Sequence, residues 1–96
     1  MITVVFDVPG LTASLYDSIC NNANVSQSNM PDGLIFHSAS PTENGILIVD
    51  VWRDEASFHK FGERLMPAIL ASGAALPPPT VYPTHNILSG QTAVTA

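Results

Sequence analysis

Residues 46–58 read Ile46-Leu47-Ile48-Val49-Asp50-Val51-Trp52-Arg53-Asp54-Glu55-Ala56-Ser57-Phe58, and this stretch decides the fold. An apolar, largely β-branched run with one carboxylate inside it reads as a strand. Asp54 then supplies an N-cap and Glu55 an acidic first turn, so a helix begins at once. Phe58, Phe61 and Leu65 recur at helical spacing and form its buried stripe. Pro67 has no N–H to give a helix interior. A break is therefore expected near Met66, with a second short helix to about Ala71 and an end at Gly73.

Working upstream, Leu34 to Ala39 is a second apolar run, introduced by the turn signal Pro31-Asp32-Gly33. The short Ser40–Gly45 connection joins it to Ile46–Trp52, and the two runs read as a β-hairpin. Residues 2–8 are again β-branched and apolar, and Pro9-Gly10 stops them. Thr12 can cap a helix from Ala13, with Leu15, Ile19 and Ala23 on one side and Tyr16 and Cys20 flanking them. Asn21, Asn22 and Asn24 end it, because asparagine tolerates left-handed backbone. Downstream, Pro77-Pro78-Pro79 is a stiff connector. Thr80 to Leu88 is expected as the last strand, with Pro83 marking an edge or bulge. Residues 1–88 are expected to form one domain, and 89–96, which carry no periodic pattern, a flexible tail.

The order is β-α-β-β-α-β, an α+β class of ferredoxin-like type: a four-stranded antiparallel sheet with both helices on one face. Within it, the first and third strands are expected as central neighbours running parallel. A sheet with apolar side chains on its helix-free face cannot leave that face in water. Pairing two copies through it would cover that face, so a homodimer is expected.

Composition narrows the partners. The chain has 96 residues, 46% of them hydrophobic and 11% charged, with a net charge of −5. Only Arg53, Lys60 and Arg64 are positive, so the basic footprint that nucleic acid requires is missing, and anionic membranes are disfavoured. The single Cys20 excludes an internal disulfide and a multi-cysteine zinc site. No signal-peptide pattern follows Met1, and the apolar runs are too short to span a bilayer, so a cytoplasmic location is expected. No cofactor is expected. The one glycine in Pro9-Gly10-Leu11-Thr12 does not make a phosphate loop, no metal set is spaced for ligation, and no heme-attachment motif exists.

Alternation along the third strand separates Leu47, Val49 and Val51 from Ile48, Asp50 and Trp52. The fully apolar set is expected against the helices, which points Asp50 and Trp52 toward a partner subunit. In the first strand, Ile2, Val4, Phe6 and Val8 are expected inward and Thr3, Val5 and Asp7 opposite. Parallel pairing would then gather Asp7, Asp50 and Trp52 at one end of the helix-free face. Whether His37 joins Asp50 depends on the hairpin register, since a slip of one residue reverses its face. The need of a buried aspartate for a donor favours the shared face. His85 and Tyr82 lie late in the chain, beside the start of the first strand.

The expected site is a cavity in which His37 and Asp50 do acid–base catalysis, while Trp52, Asp7, His85 and Tyr82 contact a hydrophobic small molecule. Two further readings stay open: a non-catalytic binding module, and a structural dimer whose polar residues only fix register.

The strings Val4-Val5-Phe6-Asp7-Val8-Pro9-Gly10, Asp32-Gly33-Leu34-Ile35-Phe36-His37, Val49-Asp50-Val51-Trp52 and Val81-Tyr82-Pro83-Thr84-His85-Asn86, in this order of elements, resemble the dimeric α/β-barrel superfamily. That superfamily includes the antibiotic biosynthesis monooxygenase-like proteins, and the resemblance spans roughly residues 1–88. It implies a homodimer and, in one branch, cofactor-independent oxygenation of electron-rich aromatic compounds, with a tryptophan at the position of Trp52 and an asparagine nearby. Here the neighbouring strand position is Asp50. A heme-degrading branch pairs that tryptophan with a histidine on the next helix, where this chain has His59 at a different spacing.

Overall fold

The structure is a computed structural model and describes residues 1–90. Its elements are β1 (Ile2–Pro9), α1 (Ala13–Ala23), β2 (Leu34–Pro41), β3 (Gly45–Trp52), α2 (Glu55–Ser72) and β4 (Thr80–Pro83). The four strands form one sheet in the order β2-β3-β1-β4, and every neighbouring pair is antiparallel. This is the ferredoxin-like arrangement expected from the element order. From residue 91 onward, the tail expected over 89–96 lies outside the described residues.

Local chemistry explains the boundaries. The Thr12 hydroxyl accepts from the Leu15 N–H and starts α1, and Asn24 ends it at φ 57°, in the left-handed region asparagine tolerates. The Asp54 carboxylate accepts from the Ser57 N–H at 2.8 Å and starts α2. Gly73 closes that helix at φ 77°. Gly45 is required by crowding, because a Cβ there would collide with the Val8 carbonyl oxygen.

Four expectations are corrected. First, β1 and β3 are antiparallel neighbours, with Val4 opposite Asp50 and Asp7 opposite Leu47. The chain reverses direction at the β2–β3 hairpin, so β3 runs against both β1 and β2. Asp7 therefore lies at the far end of the sheet from Asp50 and Trp52.

Second, the faces of β3 are reversed. Directly paired antiparallel residues share a face, so Val4, Phe6 and Val8 carry Asp50, Ile48 and Ile46 with them. Val8 and Ile46 pack with Ile19 and Ala23 of α1 and Ala68 and Ile69 of α2. Trp52 packs on Phe58 and Phe61 of α2. Asp50 and Trp52 thus lie beneath the helices, and Leu47, Val49 and Val51 occupy the helix-free face. Composition misled here because the indole is better covered by α2 phenylalanines than by any group on the open face.

Third, α2 runs unbroken through Pro67. Ala68 and Ile69, the next two residues, are buried in the core, and their anchoring holds the helix across the missing N–H. Fourth, β4 ends at Pro83, opposite Ile2, because proline cannot continue the ladder. One further bond, from the Thr84 N–H to the Met1 carbonyl, extends the edge.

Candidate functional site

Asp50 is the one charged residue buried among the described residues, at 6% exposure. Its neighbours across the sheet are Val4 on β1 and His37 on β2. Hairpin register decides the geometry. Leu34 pairs with Trp52, but Phe36 pairs with Val51, so β2 carries one extra residue between them. Without that bulge, plain alternation from Leu34 would put His37 on the opposite face. With it, His37 stands directly beside Asp50.

The His37 Nδ1 lies 2.5 Å from the Asp50 Oδ1, and the His37 Nε2 lies 2.6 Å from the Tyr16 hydroxyl of α1. An ionised carboxylate can only accept, so Asp50 fixes the proton on Nδ1 and leaves the Nε2 lone pair to accept from Tyr16. The Tyr16 and His37 rings are nearly parallel, 16° apart with centroids at 6.0 Å. Burial pushes the Tyr16 hydroxyl well above its ordinary 10.0, and the neighbouring Cys20, one turn along α1, adds to this. Burial also raises Cys20 above 9.0. Tyr16 therefore stays a donor at any physiological pH. The result is a three-residue chain, Asp50–His37–Tyr16, that links β3, β2 and α1. The His37 side chain keeps 30% of its surface in solvent, so the chain is reachable from the β2 edge of the sheet.

Trp52 is two residues beyond Asp50 on the same strand face and is fully buried. Its Nε1–H has no acceptor among the described residues. A buried donor left unmatched costs about 1–3 kcal/mol, which gives that atom a standing demand for an acceptor.

The remaining expected residues do not join this group. Tyr82 pairs with Thr3, on the helix-free face, and is 53% exposed. Asp7 shares that face, at its far end. His85 follows β4 in irregular backbone and is exposed. Two cavities are evident elsewhere. One of about 400 Å3 lies beside α2 and includes Pro31, Asp32, Ser57, Lys60, Phe61 and Arg64. The other, of about 240 Å3, lies between Val8, Leu11, Leu15, Ser72, Gly73 and Ala74. Neither is lined by His37, Asp50 or Trp52, so the hollow expected around those three residues across a subunit boundary is corrected with the strand faces. Sequence reasoning passed over Tyr16, reading it as a flank of the apolar stripe. The one signal for it was a phenol and a thiol four residues apart on a helix, Tyr16 and Cys20, which puts both on one side.

Among the described residues, no three His, Cys, Asp or Glu side chains converge as metal ligands would, and no helix is long and apolar enough to cross a membrane. No family model matches the chain, and no curated protein does. Among solved structures, it is similar to a protein of Deinococcus radiodurans provisionally described as an antibiotic biosynthesis monooxygenase. The TM-score is 0.60 at 15% identity, over 96% of this chain and all of the other. The likeness establishes a shared fold. The ferredoxin-like α/β architecture is common to both over the matched part of the chain, which is what the strings around Trp52 led one to expect. At 15% identity it carries no residue's role across.

Proposed function

We propose that the protein is a small-molecule enzyme of acid–base type, with no metal or nucleotide requirement, acting at the Asp50–His37–Tyr16 chain on a hydrophobic aromatic metabolite. The observation that carries this reading is the pairing of the buried Asp50 carboxylate with a partly exposed imidazole whose second nitrogen already engages a phenol. Asp50 orients His37 and stabilises the imidazolium that forms when His37 takes a proton. Tyr16 passes protons in concert: its oxygen takes the substrate's proton as its own moves to Nε2. No free phenolate accumulates, consistent with the burial that raises Tyr16. A phenolic substrate deprotonated in this way is electron-rich enough to react with dioxygen directly, and the fold likeness supports that oxygenase subtype.

The helix-free face supports a homodimer. Val5, Leu47, Val49 and Val51 run along its centre, with Phe36 and Tyr82 toward its edges. Two copies packed through it would remove this apolar surface from water and close the barrel. Sedimentation at micromolar concentration giving only a 10.2 kDa species would overturn the dimer.

A second reading is favoured by the complete packing of Trp52: the polar chain fastens α1 to the sheet edge, and the protein binds ligands without turnover or serves only as a dimer module. Oxygen uptake with a panel of electron-rich phenols and anthrones separates the two. Uptake by the wild type that is lost in His37→Ala, with the fold retained, supports the enzyme. Equal rates in both sink it.

A further inference from the structure

All three cations of this acidic chain gather on one cleft. Lys60 and Arg64, one turn apart on α2, line it on either side of Phe61. Arg53 stands at its rim, donating to the Ser57 hydroxyl at 3.2 Å and lying 3.7 Å from Asp32, both of them lining residues. The carboxylates there are Asp32, Glu63 and, on Arg53, Asp54. The cleft region is thus electrically balanced, and the side-chain charge of −5 falls on Asp7, Asp17, Glu43, Asp50 and Glu55 in the rest of the molecule, which has no Lys or Arg. An anion approaching this protein is repelled everywhere else.

Within the cleft, neither Lys60 nor Arg64 makes an ion pair among the described residues. Arg64 donates to the carbonyls of Ala23 and Asn24 at the C-terminal end of α1, at 2.9 and 3.4 Å. Next to the lining residue Asp32, Gly33, at φ 84°, meets Ser57 so tightly that a Cβ would collide with it. The cavity of about 400 Å3 has the size of a small-ligand pocket. Phe61 is among its lining residues, and the Phe61 ring packs on Trp52 with centroids 5.4 Å apart.

We infer that this cleft is a binding site for an aromatic anion, a carboxylate or sulfonate on a planar ring. Lys60 and Arg64 hold the charged group and Phe61 supports the ring. The inference goes beyond the acid–base reading above: the cleft is not lined by Asp50, His37 or Tyr16, and it assigns to α2 an anion site apart from that chain. The test uses anilinonaphthalene sulfonate as the aromatic anion and aminonaphthalene as its neutral counterpart. Trp52, the only tryptophan, serves as the energy-transfer donor across Phe61.

Sulfonate binding with energy transfer from Trp52 is expected. Lys60→Gln should weaken it about two- to five-fold and Lys60→Glu about ten-fold, the range for an exposed charge partner and its reversal. Affinity for the neutral probe should stay unchanged, and added salt should weaken only the anion. Lys60 is exposed on a helix, so neither variant threatens the fold. Equal sulfonate affinity in wild type and Lys60→Glu, or binding without energy transfer, overturns the site. His37→Ala should bind the probe normally. If it does while oxygen uptake never depended on His37, the acid–base reading has failed and the anion site stands.

Discussion

The Asp50–His37 pair should respond asymmetrically to losing one partner or the other. His37→Ala leaves a carboxylate that is 6% exposed without its donor, whereas Asp50→Ala leaves an imidazole whose side chain is 30% exposed and can turn to water. Breaking a fully buried pair costs about 3–5 kcal/mol, and the partial exposure of His37 lowers that to about 2–3 kcal/mol for His37→Ala. The lost Tyr16 hydrogen bond is contained in this figure. Asp50→Ala should cost about 1–2 kcal/mol, the range for a net hydrogen bond to a charged group with a little packing. The double variant should cost less than the two single ones together by about 1–2 kcal/mol, because removing Asp50 also removes the stranded charge. Urea unfolding at one fixed protein concentration, with unchanged m-values, measures all four corners of the cycle. Equal costs for the two single variants, or strict additivity, would show that Asp50 is not dependent on His37 for its burial. The chain would then be incidental.

Further outcomes are expected elsewhere. Tyr16 and Cys20 both bind their protons more tightly folded than unfolded, so their contribution is complete below about pH 9 and is lost as alkaline pH ionises the unfolded chain first. Tyr16→Phe should flatten the loss of stability between pH 9 and 11 seen in thermal melts, and an unchanged slope would contradict it. Gly45→Ala should destabilise by more than the roughly 1 kcal/mol normal for a glycine site, since its Cβ meets the Val8 carbonyl; a neutral result in urea would contradict that crowding. Pro67→Ala restores a helix N–H at an exposed position and should stabilise by about 1 kcal/mol or more, read as a higher urea midpoint. Val49→Lys, at the middle of the helix-free face, should turn a sedimenting dimer into monomers while the far-ultraviolet spectrum is retained.

The chain itself carries its element order. Caps at Thr12 and Asp54, the Asn24 and Gly73 ends and the β-branched runs are local signals, and each depends on a few consecutive residues. The nearness of His37 and Asp50 was legible only as a choice between two registers, and the bulge after Leu34 makes that choice through one unpaired residue no propensity marks. The face of Asp50 and Trp52 was not legible at all. Alternation sorts a strand into two sets but is symmetric between them. Only packing breaks the symmetry: here Val4 opposite Asp50, and Phe58 and Phe61 against the indole, tie the polar set to the helices. Tyr16 joined the site for the same reason. Its partner stands 21 positions away in the chain, and contacts at that separation are made by the tertiary fold.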